Sequence, residues 1–110
     1  MTGYAYLLIA IVAEVIATSA LKASEGFTKT FPSIVVTVGY GVAFYCFSVT
    51  LKTVPIGIAY AIWAGLGIAL ITVVGWVVYQ QALDFPAIVG ILFIVVGVGI
   101  LTTMSKSSVQ

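Results

Sequence analysis

Glu14 is the one ionisable acid or base well inside the long apolar segments of this chain. It lies in the run Tyr4–Ala17, which is otherwise free of charge. A carboxylate in hydrocarbon costs about 3 kcal/mol or more, and such residues usually mark ion or substrate pathways. Glu14 is therefore predicted to carry a proton, to bind an ion, or to balance the charge of a cationic substrate. The alternative is a structural Glu that is either permanently protonated or bonded to a neighbouring helix.

Helical spacing places small and apolar residues on the same face as Glu14. The residues expected to line the space beside the carboxylate are Leu7, Ala10, Ile11, Ala17 and Thr18. Small side chains here leave room for a ligand or let another helix approach. Thr18 can also donate a hydrogen bond to Glu14.

Aromatic residues recur at helical spacing in the later segments. Tyr40, Phe44 and Phe47 fall at i, i+4 and i+7, while Tyr60 and Trp63 fall at i and i+3. Ring faces attract organic cations by about 0.5–2 kcal/mol each, so a carboxylate with several aromatics suits a flat or quaternary cation. The residues expected to share this cavity are Tyr4, Tyr40, Phe44, Tyr60 and Trp63. The alternative is lipid-facing packing or interfacial anchoring, which is strongest for rings near helix ends.

The composition indicates an integral membrane protein with one domain, residues 1–110. Of the 110 residues, 63% are hydrophobic and 6% are charged, whereas soluble domains carry about 25% charged residues. A net charge of +1 without a basic tract gives no support for nucleic-acid binding. The sequence has no His, no cluster with metal-ligand spacing and no catalytic pairing, so we expect no enzyme, no metal and no cofactor.

Four stretches approach the ~20 apolar residues that cross a bilayer. They lie near residues 3–21, 33–51, 58–79 and 86–104, and the charged and turn-forming residues fall between them. The predicted fold is an all-α membrane protein of four transmembrane helices. Short loops make successive helices antiparallel neighbours.

The lysines do not decide the orientation of these helices. Lys22 and Lys29 fall on one side of the membrane, and Lys52 and Lys106 fall on the other. Two against two gives no orientation by the positive-inside rule. Either four charges are too few to count, or the chain inserts both ways and two copies pair antiparallel. Four helices can barely enclose a substrate cavity, which favours an oligomer.

Glycines suggest special positions on the last two helices. Gly65 and Gly67 permit either a bend in the third helix or close packing of another helix. Gly90 and Gly97 are two turns apart and form a groove that another helix can enter. The fourth helix has no polar residue between Pro86 and Thr102, so its predicted role is dimerisation.

Several motifs together carry a resemblance to a known family. They are Ala13-Glu14-Val15, Leu21-Lys22, Glu25-Gly26-Phe27-Thr28, Pro32-Ser33, Ala59-Tyr60-Ala61-Ile62-Trp63, Gly65 with Gly67, and Gly90 to Gly97. In these motifs, in length and in its four spans, the chain resembles the small multidrug resistance transporters. The resemblance covers essentially the whole chain.

This resemblance implies a proton-coupled antiporter that exports toxic organic cations across the bacterial inner membrane as an antiparallel, dual-topology homodimer. Its implied partners are organic cations, protons, the lipid bilayer and a second copy of the chain. By the same resemblance, Glu14 binds both proton and drug. The other implied roles are site lining by Tyr40, Phe44, Tyr60 and Trp63, a helix kink at Gly65 and Gly67, and dimerisation at Gly90 and Gly97.

The resemblance leaves alternatives open. A guanidinium-exporting branch of the family often has a Trp beside the helix 1 glutamate, where this chain has Ile16 and Ala17, so the quaternary-ammonium branch is favoured. Ala43 and Ala64 stand where many relatives have Ser, which removes a hydroxyl near the expected site. Rival interpretations are a passive proton or cation pore and a ring-type proton-carrying subunit of a rotary ATPase, although such subunits usually have two helices.

Overall fold

The computed structural model of the protein describes residues 3–106, which form four α-helices. They are α1 (Gly3–Ala23), α2 (Thr30–Thr50), α3 (Ile56–Val77) and α4 (Phe85–Thr103). Each helix is long and apolar enough to cross a membrane. The prediction of an all-α protein with four membrane-spanning helices is therefore confirmed.

Three helices begin earlier than their predicted starts, and the residues at each N-terminus explain the observed starting positions. α2 begins at Thr30 with Pro32 in its first turn, where a missing N–H breaks no helical hydrogen bond. α3 begins immediately after Pro55, whose backbone is extended. α4 begins behind Asp84, and the Asp84 carboxylate accepts a hydrogen bond of 3.0 Å from the Ala87 N–H. Asp84 thus caps the helix N-terminus, a position that Asp favours.

The helix ends also differ by one or two residues from the prediction. α1 runs to Ala23, two residues further than predicted, while α3 ends at Val77, two residues earlier. Gln80 follows α3 in the left-handed region with φ 56°. The Gln81 N–H then donates a hydrogen bond of 2.9 Å to the Gly75 carbonyl. A left-handed residue with a backward hydrogen bond is a common way to close a helix.

The helices form a thin slab in which α3 contacts helices on both sides. α1 packs against α2 and α3, and α4 packs against α3. The chain measures 44 × 34 × 18 Å, and its longest dimension is similar to the ~40–45 Å of a bilayer with its headgroups. The buried hydrophobic cluster consists of Leu7, Ala10, Ile11, Cys46, Phe47, Val54, Ala59, Ile62 and Val98.

Glycines allow the closest contacts between helices. A Cβ at Gly39 would lie 2.8 Å from the Ala17 Cβ and 3.2 Å from the Ala13 carbonyl oxygen, so α2 approaches the α1 backbone here. A Cβ at Gly65 would overlap the Val98 side chain of α4. α3 is a continuous helix through this region. Of the two roles proposed for Gly65, the structure therefore shows close packing, and a kink stays a prediction.

Gly39→Ala tests the contact between α1 and α2. We expect it to destabilise the folded protein by about 1–3 kcal/mol, because the new methyl group overpacks against backbone atoms. Gly41→Ala is the matched control, since a Cβ at Gly41 meets no atom within 4 Å. Both changes raise helix propensity by about 1 kcal/mol, so their difference isolates the contact. Unfolding in mixed detergent micelles measures it. Equal stabilities would contradict the close approach.

Candidate functional site

A cavity of about 390 Å³ lies among α1, α2 and α3. It is lined by Glu14, Tyr40, Phe44, Tyr60, Trp63, Ala64, Gly67, Ile68 and Ile71. One carboxylate, four aromatic side chains and a small apolar surface thus meet in one place. The structure brings together these five predicted site residues, which lie on three separate helices.

A chain of hydrogen bonds leads from the carboxylate to α2. The Thr18 hydroxyl donates to Glu14 Oε1 at 2.9 Å, as the i, i+4 spacing predicts, and Thr18 Oγ1 lies 2.6 Å from the Tyr40 hydroxyl oxygen. Because a Thr hydroxyl has only one proton to donate, Tyr40 donates to Thr18 when Glu14 is ionised. The direction of both bonds can reverse when Glu14 is protonated. The chain therefore suits either state of the carboxyl group.

Gly67 allows the second carboxylate oxygen to lie close to α3. A Cβ at this position would be 3.3 Å from Glu14 Oε2, closer than most side chains tolerate. A larger residue would force either the carboxylate or the helix to move. The close approach of Glu14 therefore explains why a residue without a side chain occupies position 67.

The aromatic residues form a continuous wall with Trp63 at its centre. The Trp63 ring lies 4.4 Å from the ring of the buried Phe47, 5.6 Å from Phe44 and 6.1 Å from Tyr60, measured between centroids. Tyr40 stacks on Phe44 at 6.1 Å. Edge contacts and offset stacking are favourable geometries for ring pairs. They hold the Trp63 ring in place beside the cavity.

One side of this site remains uncovered in a single chain. Tyr60 is 60% exposed and Phe44 is 57% exposed, and Glu14 is only partly buried. A carboxylate that faced lipid directly would be costly. The open side therefore needs a cover other than lipid.

Other predicted site residues lie outside the cavity. Leu7, Ala10, Ile11 and Ala17 are buried at 0–1% exposure and pack in the protein interior. Tyr4 is 51% exposed and is not among the lining residues. Their assignment to the site stays a prediction.

The two α4 glycines predicted to support dimerisation lie at open positions. A Cβ at Gly90 or Gly97 would meet no atom of the described chain within 4 Å. Space for an approaching helix is therefore present on this face. The dimerisation role itself stays a prediction.

Sequence reasoning missed two lining residues, Ile68 and Ile71. A signal for them was present, because Tyr60, Ala64, Gly67 and Ile71 follow one another at helical spacing along one stripe of α3. The apolar continuation of that stripe does not stand out in the sequence, because a membrane helix is apolar on every face. These two isoleucines give the cavity an apolar end.

Comparison with known proteins places the chain in a family. The sequence profile described as Small Multidrug Resistance protein matches residues 2–94. The chain belongs to the small multidrug resistance family. The family resemblance inferred from its motifs is thus confirmed, and membership with four apolar helices fits a multi-pass protein of the bacterial inner membrane.

Three relatives in the family align over nearly their whole length. The quaternary ammonium compound-resistance protein QacE of Escherichia coli is 56% identical over 108 residues, which is 98% of each chain. QacF of Klebsiella aerogenes, with the same description, is 53% identical over 98% of each chain. The multidrug transporter EmrE of Escherichia coli K12 is 46% identical over 98% of each chain. Two names refer to quaternary ammonium resistance and the third to multidrug transport.

Trp63→Ala tests whether the aromatic wall binds cations. We expect it to weaken tetraphenylphosphonium binding by about 1–2 kcal/mol, roughly 5- to 30-fold, because the central ring face is lost. Trp76→Ala is the matched control on the same helix, since Trp76 is 61% exposed and is not among the lining residues. Equilibrium binding in detergent is the measurement, and circular dichroism checks that the helices remain. Equal affinities for the parent and Trp63→Ala would assign this ring to packing.

Proposed function

We propose that this family member is a proton-coupled antiporter that exports quaternary ammonium and aromatic organic cations. The observation that carries the proposal is the pairing of Glu14 with an aromatic wall in one cavity. A carboxylate supplies a full negative charge, and ring faces add attraction for a cation that cannot donate hydrogen bonds. The names of QacE and QacF support the same substrate class.

Coupling arises because one group serves both ligands. The Glu14 carboxylate attracts an organic cation when ionised and loses that attraction when a proton neutralises it. Binding of the cation therefore favours release of the proton, and the two compete. Exchange follows if the transporter switches the side to which it opens only when a proton or an organic cation is bound, and not when the site is empty. The ionisable group thereby acts as a carrier for both partners without any enzymatic chemistry.

The proposed working unit is an antiparallel homodimer. A second copy would cover the exposed Tyr60 and Phe44 and would bring a second Glu14 to the same cavity. The open α4 positions at Gly90 and Gly97 offer a surface for pairing. If the two copies adopt different conformations, exchange of those conformations turns the cavity to the other side without creating a new structure. Each chain of 110 residues then supplies half of the transporter as a single four-helix domain.

The lining of the cavity favours quaternary ammonium over guanidinium. A guanidinium ion presents N–H donors all around the edge of a plane and is matched best by several acceptors. Here the apolar surface of Ala64, Gly67, Ile68 and Ile71 continues from the aromatic wall. Such a surface suits alkyl and aryl groups around a buried positive charge. Glu14 supplies the balancing negative charge.

Glu14→Gln should abolish uptake of tetraphenylphosphonium driven by a pH gradient in proteoliposomes, because an amide neither carries the proton nor balances the cation. The matched control is Glu25→Gln. Glu25 lies in the loop after α1, is 66% exposed, and pairs with Lys29 at 3.2 Å, so its loss should leave uptake within about twofold. Undiminished uptake by Glu14→Gln would refute the proposed carrier role. Collapse of the gradient by the parent without any cation would instead indicate a passive pore.

The balance of lysines tests the antiparallel arrangement. Adding about three lysines beside Lys106 should bias nearly every copy to one orientation. Resistance to a quaternary ammonium biocide should then fall, because copies of one orientation cannot pair antiparallel. Co-expression of a version with extra lysines beside Lys22 and Lys29 should restore it. Tag accessibility in intact cells reports orientation. A uniformly oriented protein that protects cells alone would contradict the antiparallel dimer.

A further inference from the structure

A second, smaller cavity lies between the last turns of α1 and α3. We call this cavity of about 140 Å³ the vestibule. It is lined by Thr18, Ser19, Lys22, Ile71, Val74, Gly75, Tyr79 and Gln81. Five of these eight residues have polar side chains, although most of the cavity surface is apolar, as it is around Glu14. The transport site does not account for these polar groups.

The vestibule is connected to the carboxylate through Thr18. Glu14, Thr18 and Lys22 occur at i, i+4 and i+8, so they form one stripe of α1 that runs ~12 Å along the helix axis. Thr18 lines the vestibule and also donates its hydroxyl hydrogen bond to Glu14 Oε1. Ile71 lines both cavities and is the apolar residue common to them. A line of three polar side chains therefore runs from Glu14 to the last turn of α1.

The walls of the vestibule are held by specific contacts. The Tyr79 hydroxyl donates a hydrogen bond of 2.6 Å to the Ser19 carbonyl, and the Lys22 Nζ lies 5.3 Å from the centre of the Tyr79 ring. The Gln81 side-chain oxygen would lie 2.9 Å from a Cβ at Gly75, so this glycine makes room for the amide. These contacts keep polar side chains beside the cavity.

The size of the vestibule suits water and a proton better than a drug. Its volume is about a third of the 390 Å³ around Glu14, and it has room for about four water molecules at ~30 Å³ each. A cation with several aryl groups does not fit such a volume. Water and hydroxyl groups can pass a proton along hydrogen bonds without moving far themselves.

We propose that the vestibule is the proton pathway between Glu14 and the membrane face near Lys22, used only while the transporter opens to that face and separate from the cavity that receives the organic cation. This inference rests on the proposed antiport function. In the step we envisage, the Glu14 carboxyl gives its proton to Thr18 Oγ1 while the Thr18 hydroxyl proton passes to water in the vestibule. Glu14 is left as a carboxylate, Thr18 keeps one proton, and the resulting hydronium releases its proton to the aqueous side. The proton then leaves through the vestibule while the drug enters through the other cavity, so the two ligands do not share one route.

Two variants test the pathway with the full chain in proteoliposomes. Gln81→Leu removes the amide but keeps the backbone N–H that bonds to Gly75, and Tyr79→Phe removes only a hydroxyl. At saturating tetraphenylphosphonium we expect each to lower the maximal rate of uptake driven by a pH gradient ~3-fold or more, with the half-saturating concentration within ~2-fold. We also expect a larger solvent deuterium isotope effect on the maximal rate, because proton transfer becomes limiting. A purely structural role would not raise that isotope effect.

The control is Tyr45→Phe, which removes a Tyr hydroxyl from a residue that is 66% exposed and lines neither cavity. Equilibrium binding of tetraphenylphosphonium shows which variants are folded, and the inference is judged on the variant or variants that bind. Parent-like rates and isotope effects would overturn the vestibule as the pathway while leaving antiport intact. Absence of proton-driven uptake by the parent would overturn the proposed function and this inference with it. Loss of binding by both variants would also overturn it, because the vestibule would then be part of the cation site.

Discussion

The main physical constraint on this structure is that it must accommodate one carboxylate within the hydrocarbon region of the membrane, which otherwise excludes charge. Glu14 lies in an apolar helix, and each of its two carboxylate oxygens lies beside a specific residue, one on α1 and one on α3. Thr18 donates a hydrogen bond to one oxygen, and Gly67 leaves space beside the other. Both contacts are compatible with an ionised and with a protonated carboxyl group, as the proposed exchange needs. Reversible charge in hydrocarbon is what an exchanger of protons and cations requires.

α3 is the element that combines packing with chemistry. Gly65 allows it to approach Val98 on α4, and two residues later Gly67 faces Glu14 on α1. The same helix presents Tyr60 and Trp63 to the large cavity, and Ile71 lies beside both cavities. Any movement of α3 would therefore change the carboxylate, the aromatic wall and the vestibule together. Such mechanical connection is a physical basis for coupling between two ligands.

The helices and the centre of the candidate site could both be predicted from the sequence, because each differs clearly in polarity from the residues around it. Apolar runs of membrane length predict spans almost directly, and a lone acid such as Glu14 contrasts sharply with its surroundings. The sequence does not indicate which apolar faces pack together, because membrane helices are apolar all round. Leu7 and Ile11 share the face of Glu14 yet are buried in the interior, whereas Ile68 lines the cavity. Close approaches such as Gly39 against Ala17 depend on tertiary geometry that spacing within one helix does not contain.

In the proposed mechanism, the Glu14 carboxylate binds a proton and an organic cation in turn. The most direct test is to titrate tetraphenylphosphonium into detergent-solubilised protein in weak buffer and to follow pH with an indicator dye. Each binding event should acidify the solution, and the affinity for tetraphenylphosphonium should fall as the starting pH is lowered. Binding without proton release, with the same affinity across the pH range, would contradict it.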